Sequence, residues 1–290
     1  MVDATMGEGG HSLAFLSRHE GLSVVGVDAD AEIQAVARER LAAFAGRVEF
    51  HRGRAQDFFE SYPAGARRPG AVLADLGVSL FHYGKSGRGF SFSADEPLDM
   101  RIDPSSGAPA AELLAAMPEG DIADMLFRNA GERHSRRIAR AVAEARRRGA
   151  VASSAALSEL VKKAVPGSYR HGPIHPATRT FLALRIEVNG ELSGLPGLLE
   201  AALRVLEPGG RLGIISFHSL EDRIVKNFFR KKSMGCACPP EVPSCRCAGP
   251  AVRLLTRKGV TPDAEEIRRN PPSRSARLRV AEKIRDGDAA

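Results

Sequence analysis

The chain has 290 residues, 43% hydrophobic and 27% charged, an ordinary globular composition with room for one large domain and a smaller one. No window approaches the ~20 consecutive apolar residues of a membrane span, and the opening MVDATMGEGGH lacks a signal peptide's basic and apolar regions, so a cytoplasmic enzyme is expected. The net charge of +7 is uneven: residues 104–170 hold 11 basic against 7 acidic side chains, residues 223–290 hold 16 against 7, and the remainder is −6. Two basic blocks beside an acidic remainder point to a polyanionic partner met by two surfaces, although charge runs are also common on solvated helix faces.

In chain order, Val2-Asp3-Ala4-Thr5 reads as the tail of a strand entering Gly7-Glu8-Gly9-Gly10, with a helix from about Ser12 to His19. Ser23 to Val27 is a buried-type strand ending in Asp28. The next segment, Ala31 to Phe44, is an amphipathic helix with Ile33, Val36, Ala37 and Leu41 on one face. Val48-Glu49-Phe50 and Ala71 to Leu76 are further strands, the latter closing on Asp75. Later, Leu198 to Leu206 is helical, Pro208-Gly209-Gly210 stops it, and Arg211 to Phe217 is another apolar strand. This alternation predicts an α/β fold, a mostly parallel sheet with helices on both faces. Between the fourth and fifth strands, 111–117, 121–129, 135–148 and 155–165 show helical periodicity without strand candidates. An inserted helical domain over 105–170 is therefore expected, between sheet-forming parts 1–104 and 171–290. Its segment 135–148 places Ile138, Val142 and Ala145 on one face and Arg136, Arg140 and Arg147 on another.

Sheets of this kind bind nucleotide-like cofactors at the carboxyl ends of their strands, near the switch in strand order. A glycine turn after the first strand admits the ligand to the backbone, and an acid ending the second strand accepts hydrogen bonds from ribose hydroxyls. Gly7, Gly9 and Gly10 fit the first requirement and Asp28 the second. The turn reads G-E-G-G rather than G-x-G-x-x-G, which disfavours a nicotinamide-dependent oxidoreductase. The helix stopped by Pro208-Gly209-Gly210 ahead of a buried strand resembles the same place in class I methyltransferases. On that reading Asp75 lies near the adenine ring and the methylsulfonium; its bland alternative is to cap a loop. His11 reads equally as a helix N-terminal residue or a ligand contact.

Further stretches carry a more specific resemblance: RGFSF at 88–92 with PLDMR at 97–101, HPATRTF at 175–181, SFHSLEDR at 216–223 and PSRSARLR at 272–279. Together with VDATMGEGGH and DLGVS, they make the whole chain similar to the ribosomal RNA small-subunit methyltransferase H family, also called MraW. The resemblance implies a Rossmann-like class I fold with an inserted helical domain. It also implies transfer of a methyl group from S-adenosyl-L-methionine to N4 of a cytidine in the decoding region of bacterial 16S rRNA, with the assembled small subunit as partner. The implied cofactor contacts are Gly9, Gly10, His11, Asp28, Asp75 and His82, with a further one near Ala55. Two departures stand out. Family members usually begin further upstream, so the first strand is expected to be truncated, and His82 replaces the family's glutamine.

An exocyclic amine is a poor nucleophile because its lone pair is delocalised into the ring, so a group that accepts its proton is expected, with orientation supplying much of the rest. The Asp/Asn-Pro-Pro-Tyr/Phe signature of many amino-methyltransferases is absent, and Asp75 or Asp99 is the candidate acceptor. Phe90 and Phe92 beside Arg88 and Arg101 suit either base stacking with phosphate binding or core packing under a long loop. Arg179, Arg274 and Arg277 are phosphate contacts or plain surface charges. The pair His218-Ser219 lacks the nucleophile elbow a hydrolase needs. Cys236, Cys238, Cys245 and Cys247 form two C-x-C pairs; four cytosolic thiols suggest zinc before disulfides, yet the spacing is tighter than usual, and no metal is assigned. A non-catalytic ribosome-assembly factor binding rRNA through the basic blocks is the alternative function, and the intact Gly9, Gly10 and Asp28 argue against it.

Overall fold

The computed structural model describes residues 1–149, 151–235 and 249–286. The first part of the chain alternates β1 (Val2–Asp3), α1 (Gly10–Arg18), β2 (Val24–Asp28), α2 (Ala31–Arg40), β3 (Val48–Arg52), α3 (Ala55–Glu60) and β4 (Ala71–Asp75). A helical stretch follows: α4 (Leu80–Gly84), α5 (Ala110–Ala116), α6 (Glu119–Ala130), α7 (Ser135–Arg146), α8 (Ser154–Ala164), α9 (Gly167–Arg170) and α10 (Thr178–Asn189). The chain ends with α11 (Glu191–Val205), β5 (Arg211–Ser216), α12 (Ser219–Lys232), β6 (Val252–Leu254), α13 (Ala264–Arg269) and β7 (Arg277–Lys283). No described helix is long and apolar enough to cross a membrane.

These elements fall into two compact units, Met1–Val78 with Leu192–Ala290, and Ser79–Glu191. The first is built on one seven-stranded sheet in the order β3-β2-β1-β4-β5-β7-β6, parallel from β3 to β5, with β7 antiparallel to both neighbours. Strands β2 and β4 read as near-continuous apolar runs because both faces are covered by helices. One face packs Leu195, Leu199, Leu203 and Phe229 against Val72, Leu212 and Ile214. Met6, Leu16, Val24, Ala37 and Leu41 form a second cluster. Each fully buried Leu, Val or Ile contributes roughly 1.5–3 kcal/mol. The two-residue β1 pairs Val2 with Val25 on one side and Val72 on the other. The chain winds outward from β1 to β3 and returns on the far side at β4, so the switch in strand order lies between β1 and β4.

The second unit packs α6 against α7 and α10, and α7 against α8, around Ile122, Met125, Leu126, Ile138, Val142, Leu157 and Leu184. It runs from Ser79 to Glu191, wider than the 105–170 span read from helical periodicity. The added parts are the loop that follows α4, pinned at Arg88 and Met100, and α10, which packs against α6. Neither shows in a search for repeated apolar periodicity.

Candidate cofactor and active site

The β1–α1 turn sits at the switch point, where the carboxyl ends of β1, β2 and β4 come together. Gly9 caps α1 in the left-handed region, with φ +78°, and a Cβ there would lie 3.1 Å from Leu41 Cδ1. Both conformation and packing therefore demand glycine at that position. Gly10 differs: it is exposed and a Cβ would meet nothing within 4 Å, so the fold itself does not require glycine there. Open space above an exposed backbone at a helix N-terminus suits close approach of a ligand.

The turn ties together the two acids singled out from the sequence. Gly7 N–H donates to Asp28 Oδ2 at 2.7 Å, and Asp30 N–H donates to Asp28 Oδ1 at 3.0 Å, so two backbone amides orient the carboxylate that ends β2. On the other side, Asp75 N–H donates to Thr5 Oγ1 at 2.6 Å, and Asp75 Oδ2 lies 3.3 Å from His11 Nε2. Asp28 and Asp75 thus flank one turn on the same end of the sheet. Asp75 Oδ1 is buried and accepts no hydrogen bond among the described residues. A buried acceptor left without a donor costs about 1–3 kcal/mol, which a ligand's N–H or O–H would recover.

Asp3, whose place in the sequence marks it only as part of the first strand, belongs to this group. It is fully buried, its Oδ2 accepts a 2.6 Å hydrogen bond from Ser12 Oγ, and its Oδ1 has no partner among the described residues. Burial raises its pKa, against the opposing effect of the Ser12 hydrogen bond. The available signal was an acid inside an otherwise apolar strand just ahead of a glycine turn.

The hydrogen bond that His11 donates to Asp75 raises the His11 pKa above the ordinary imidazole value, outweighing the lowering by burial. The His11–Asp75 ion pair is therefore fully present below that ordinary value and is lost as pH rises through the raised one. Nuclear magnetic resonance titration of the His11 ring should show this upward shift. In Asp75→Asn only the burial effect and the charge of Asp3 remain, and the His11 pKa should fall. Identical titration in both proteins would exclude the contact in solution.

Ala55 opens α3 two residues past Gly53, whose N–H donates to the Asp28 carbonyl at 2.9 Å, so the loop after β3 lies against the end of β2. His82 and Asp99 belong to the second unit. His82 is buried within α4 with its ring centroid 5.1 Å from that of Phe90. Both oxygens of Asp99 are engaged by the Arg101 guanidinium, at 2.7 and 2.8 Å, and Arg101 N–H adds a third hydrogen bond. Burial raises the Asp99 pKa, but the Arg101 contacts together outweigh it and hold the carboxyl below its usual range. That makes it a weak proton acceptor with its oxygens already occupied.

Several other expectations resolve into structural roles. Arg88 is buried and donates to the carbonyls of Arg101 and Ile102, and Phe90 is core, so neither offers itself to a base or phosphate. Phe92 is only half-buried and stacks on His175 at 4.5 Å. Arg179 donates to Tyr169 Oη, which in turn donates to buried Glu132. His218 and Glu221 form a reciprocal capping box at the start of α12, and Asp222 pairs with Arg279. Cys236, Cys238, Cys245 and Cys247 lie outside the described residues. A cleft of about 680 Å³ lies at the opposite ends of the strands, among Met1, Ser23, Val48 and Glu207, and includes none of the acids above.

A model of the MraW methylase family matches residues 1–284. The ribosomal RNA small subunit methyltransferase H of Treponema denticola is 55% identical over 284 residues, covering 98% of this chain and 90% of that protein. The protein of the same name from Syntrophobacter fumaroxidans is 48% identical over 286 residues, covering 97% and 89%. That of Heliobacterium mobile is 43% identical over 288 residues, covering 98% and 92%.

Proposed function

Because the chain belongs to the MraW methylase family, we propose that it methylates N4 of a cytidine in the decoding region of 16S rRNA, using S-adenosyl-L-methionine. Its fold is the Rossmann-like class I methyltransferase sheet, mostly parallel with an antiparallel β7. The observation that carries the reading is the convergence of Asp28, the Gly7–Gly10 turn and Asp75 at one switch point, tied by the 2.7 Å and 2.6 Å hydrogen bonds.

The donor fits these residues. The Asp28 carboxylate, oriented by two backbone N–H groups, accepts the ribose hydroxyls, with Ala55 beside it. Gly9 and Gly10 bring bare backbone to the methionine end, and His11 and Asp75 flank it. When bound, S-adenosyl-L-methionine supplies a methyl group already activated by its positive sulfur, so the protein needs only to orient the amine and take its proton. Asp75 is the acceptor: the proton that the amine loses on methylation passes to its carboxylate, whose Oδ1 is engaged by no donor among the described residues. Asp99, held by Arg101, serves instead to shape the loop that carries it. The substrate is the assembled small subunit in the cytoplasm, since a decoding-region cytidine acquires its final surroundings there.

Mass spectrometry of rRNA nucleosides from cells lacking the gene should show loss of N4-methylated cytidine, restored by the wild-type chain. Unchanged N4-methylation would remove the substrate assignment.

A further inference from the structure

The second unit carries a charged surface that its own packing does not explain. Helix α7 buries Ser135, Ile138, Ala139, Val142 and Ala143, which account for one side. On the other, Arg136, Arg137 and Arg140 are exposed, as are Arg147 and Arg148 in the turn that follows the helix. At 100° per residue Arg136, Arg137 and Arg140 fall within roughly 100° of the helix circumference, Arg147 caps the helix end in helical conformation and Arg148 lies in the turn beyond it. Among the described residues, Arg136, Arg137, Arg147 and Arg148 have no side-chain hydrogen bond or ion pair. Arg140, 73% exposed, has only a 3.9 Å approach to Glu119. Arg146 is different, since it donates to the carbonyls of Leu114 and Met117 and so holds α5.

The arrangement also runs against the needs of the helix. The first turn of α7 has no acid, its N-cap His134 makes no capping hydrogen bond, and Arg136 and Arg137 place positive charge at the positive end of the helix dipole. Helix stability favours acids at those positions. A guanidinium presents a planar fork of donors that matches phosphate oxygens two at a time, and a row of them matches a phosphate backbone rather than a single anion.

We propose that the α7 arginine ridge is a docking surface for the phosphate backbone of the small-subunit rRNA. This rests on the proposed function and adds where the RNA is held. The ridge positions the substrate without reading its sequence, because phosphate contacts fix register and carry no base information. Glu144 is the acid on the same arc and locally weakens the field.

The test is binding of purified small ribosomal subunits as a function of salt. For wild type, log K should fall linearly with log salt concentration. In the fivefold variant R136Q/R137Q/R140Q/R147Q/R148Q, that slope should flatten by about 3.5, at roughly 0.7 per lost phosphate contact, and affinity near 0.1 M salt should drop more than tenfold. Glu144→Gln should tighten binding, a gain that misfolding cannot produce. Donor affinity by calorimetry should be the same in all three proteins. A fivefold variant with wild-type affinity and slope would overturn the ridge alone, provided wild type binds donor and subunits. Weaker binding with an unchanged slope would assign the ridge to a protein contact, which also overturns the proposal. Wild type that neither binds subunits nor transfers methyl would bring down the proposed function itself.

Discussion

Replacing Asp75 with asparagine is expected to slow single-turnover methyl transfer by about 10²–10⁴-fold, the usual contribution of a positioned proton acceptor. Asparagine keeps the size of the side chain and the backbone hydrogen bond to Thr5, so the β4 end stays in place. What it removes is the ability to take a proton, and it sets an amide where His11 now meets a carboxylate at 3.3 Å. Donor affinity should change far less than the rate, which separates a chemical role from a binding one. Asp99→Asn is the informative companion. With both Asp99 oxygens already bound by Arg101, its loss should loosen the 88–102 loop and lower thermal stability more than it lowers the intrinsic rate. Full activity in Asp75→Asn would remove Asp75 from the chemistry. Full activity in both variants would require an acceptor outside the pair.

Asp28→Asn should instead act on donor binding. Hydrogen bonds to a charged acceptor contribute about 1.5–3 kcal/mol, so losing the charged partner of the ribose corresponds to roughly 10- to 150-fold weaker affinity. The substitution also sets an amide N–H against one of the two backbone N–H groups that now converge on the carboxylate, from Gly7 and Asp30. Calorimetry with S-adenosyl-L-methionine reads the affinity, and a melting curve shows whether the turn survives. An unaltered dissociation constant would mean that the ribose is held elsewhere.

Much of the first unit was legible in the sequence because its strands are apolar on both faces and its turns carry glycine and proline. Asp28 and Asp75 each close such a strand, so their place at the carboxyl end followed from strand polarity alone. The C-terminal strand was not legible. The inward positions of β7 include Arg279 and Lys283, which break the apolar alternation on which a strand reading depends. They are tolerated inside because Arg279 pairs with Asp222 at 2.7 Å and Lys283 Nζ donates to the carbonyls of Arg204 and Leu206. Those partners lie 57 to 79 residues away, beyond any local pattern. Helix α11 likewise begins at Glu191 rather than Leu198, since Pro196 and two glycines mask a helix that packing sustains.

By itself the sequence determined the α/β class, the glycine turn, the two strand-terminal acids and the basic character of α7, because these follow from local periodicity and from which residues end each strand. Only the tertiary structure decided that Asp28 and Asp75 share one turn, that Asp3 lies buried beside them, and that Asp99 is spent on Arg101. The reason is that a carboxylate's chemistry is set by which donors reach its oxygens. Except for the Arg101 side chain and backbone N–H, two residues from Asp99, the Asp30 amide at Asp28 and the Ser12 hydroxyl at Asp3, those donors come from residues far away in the chain.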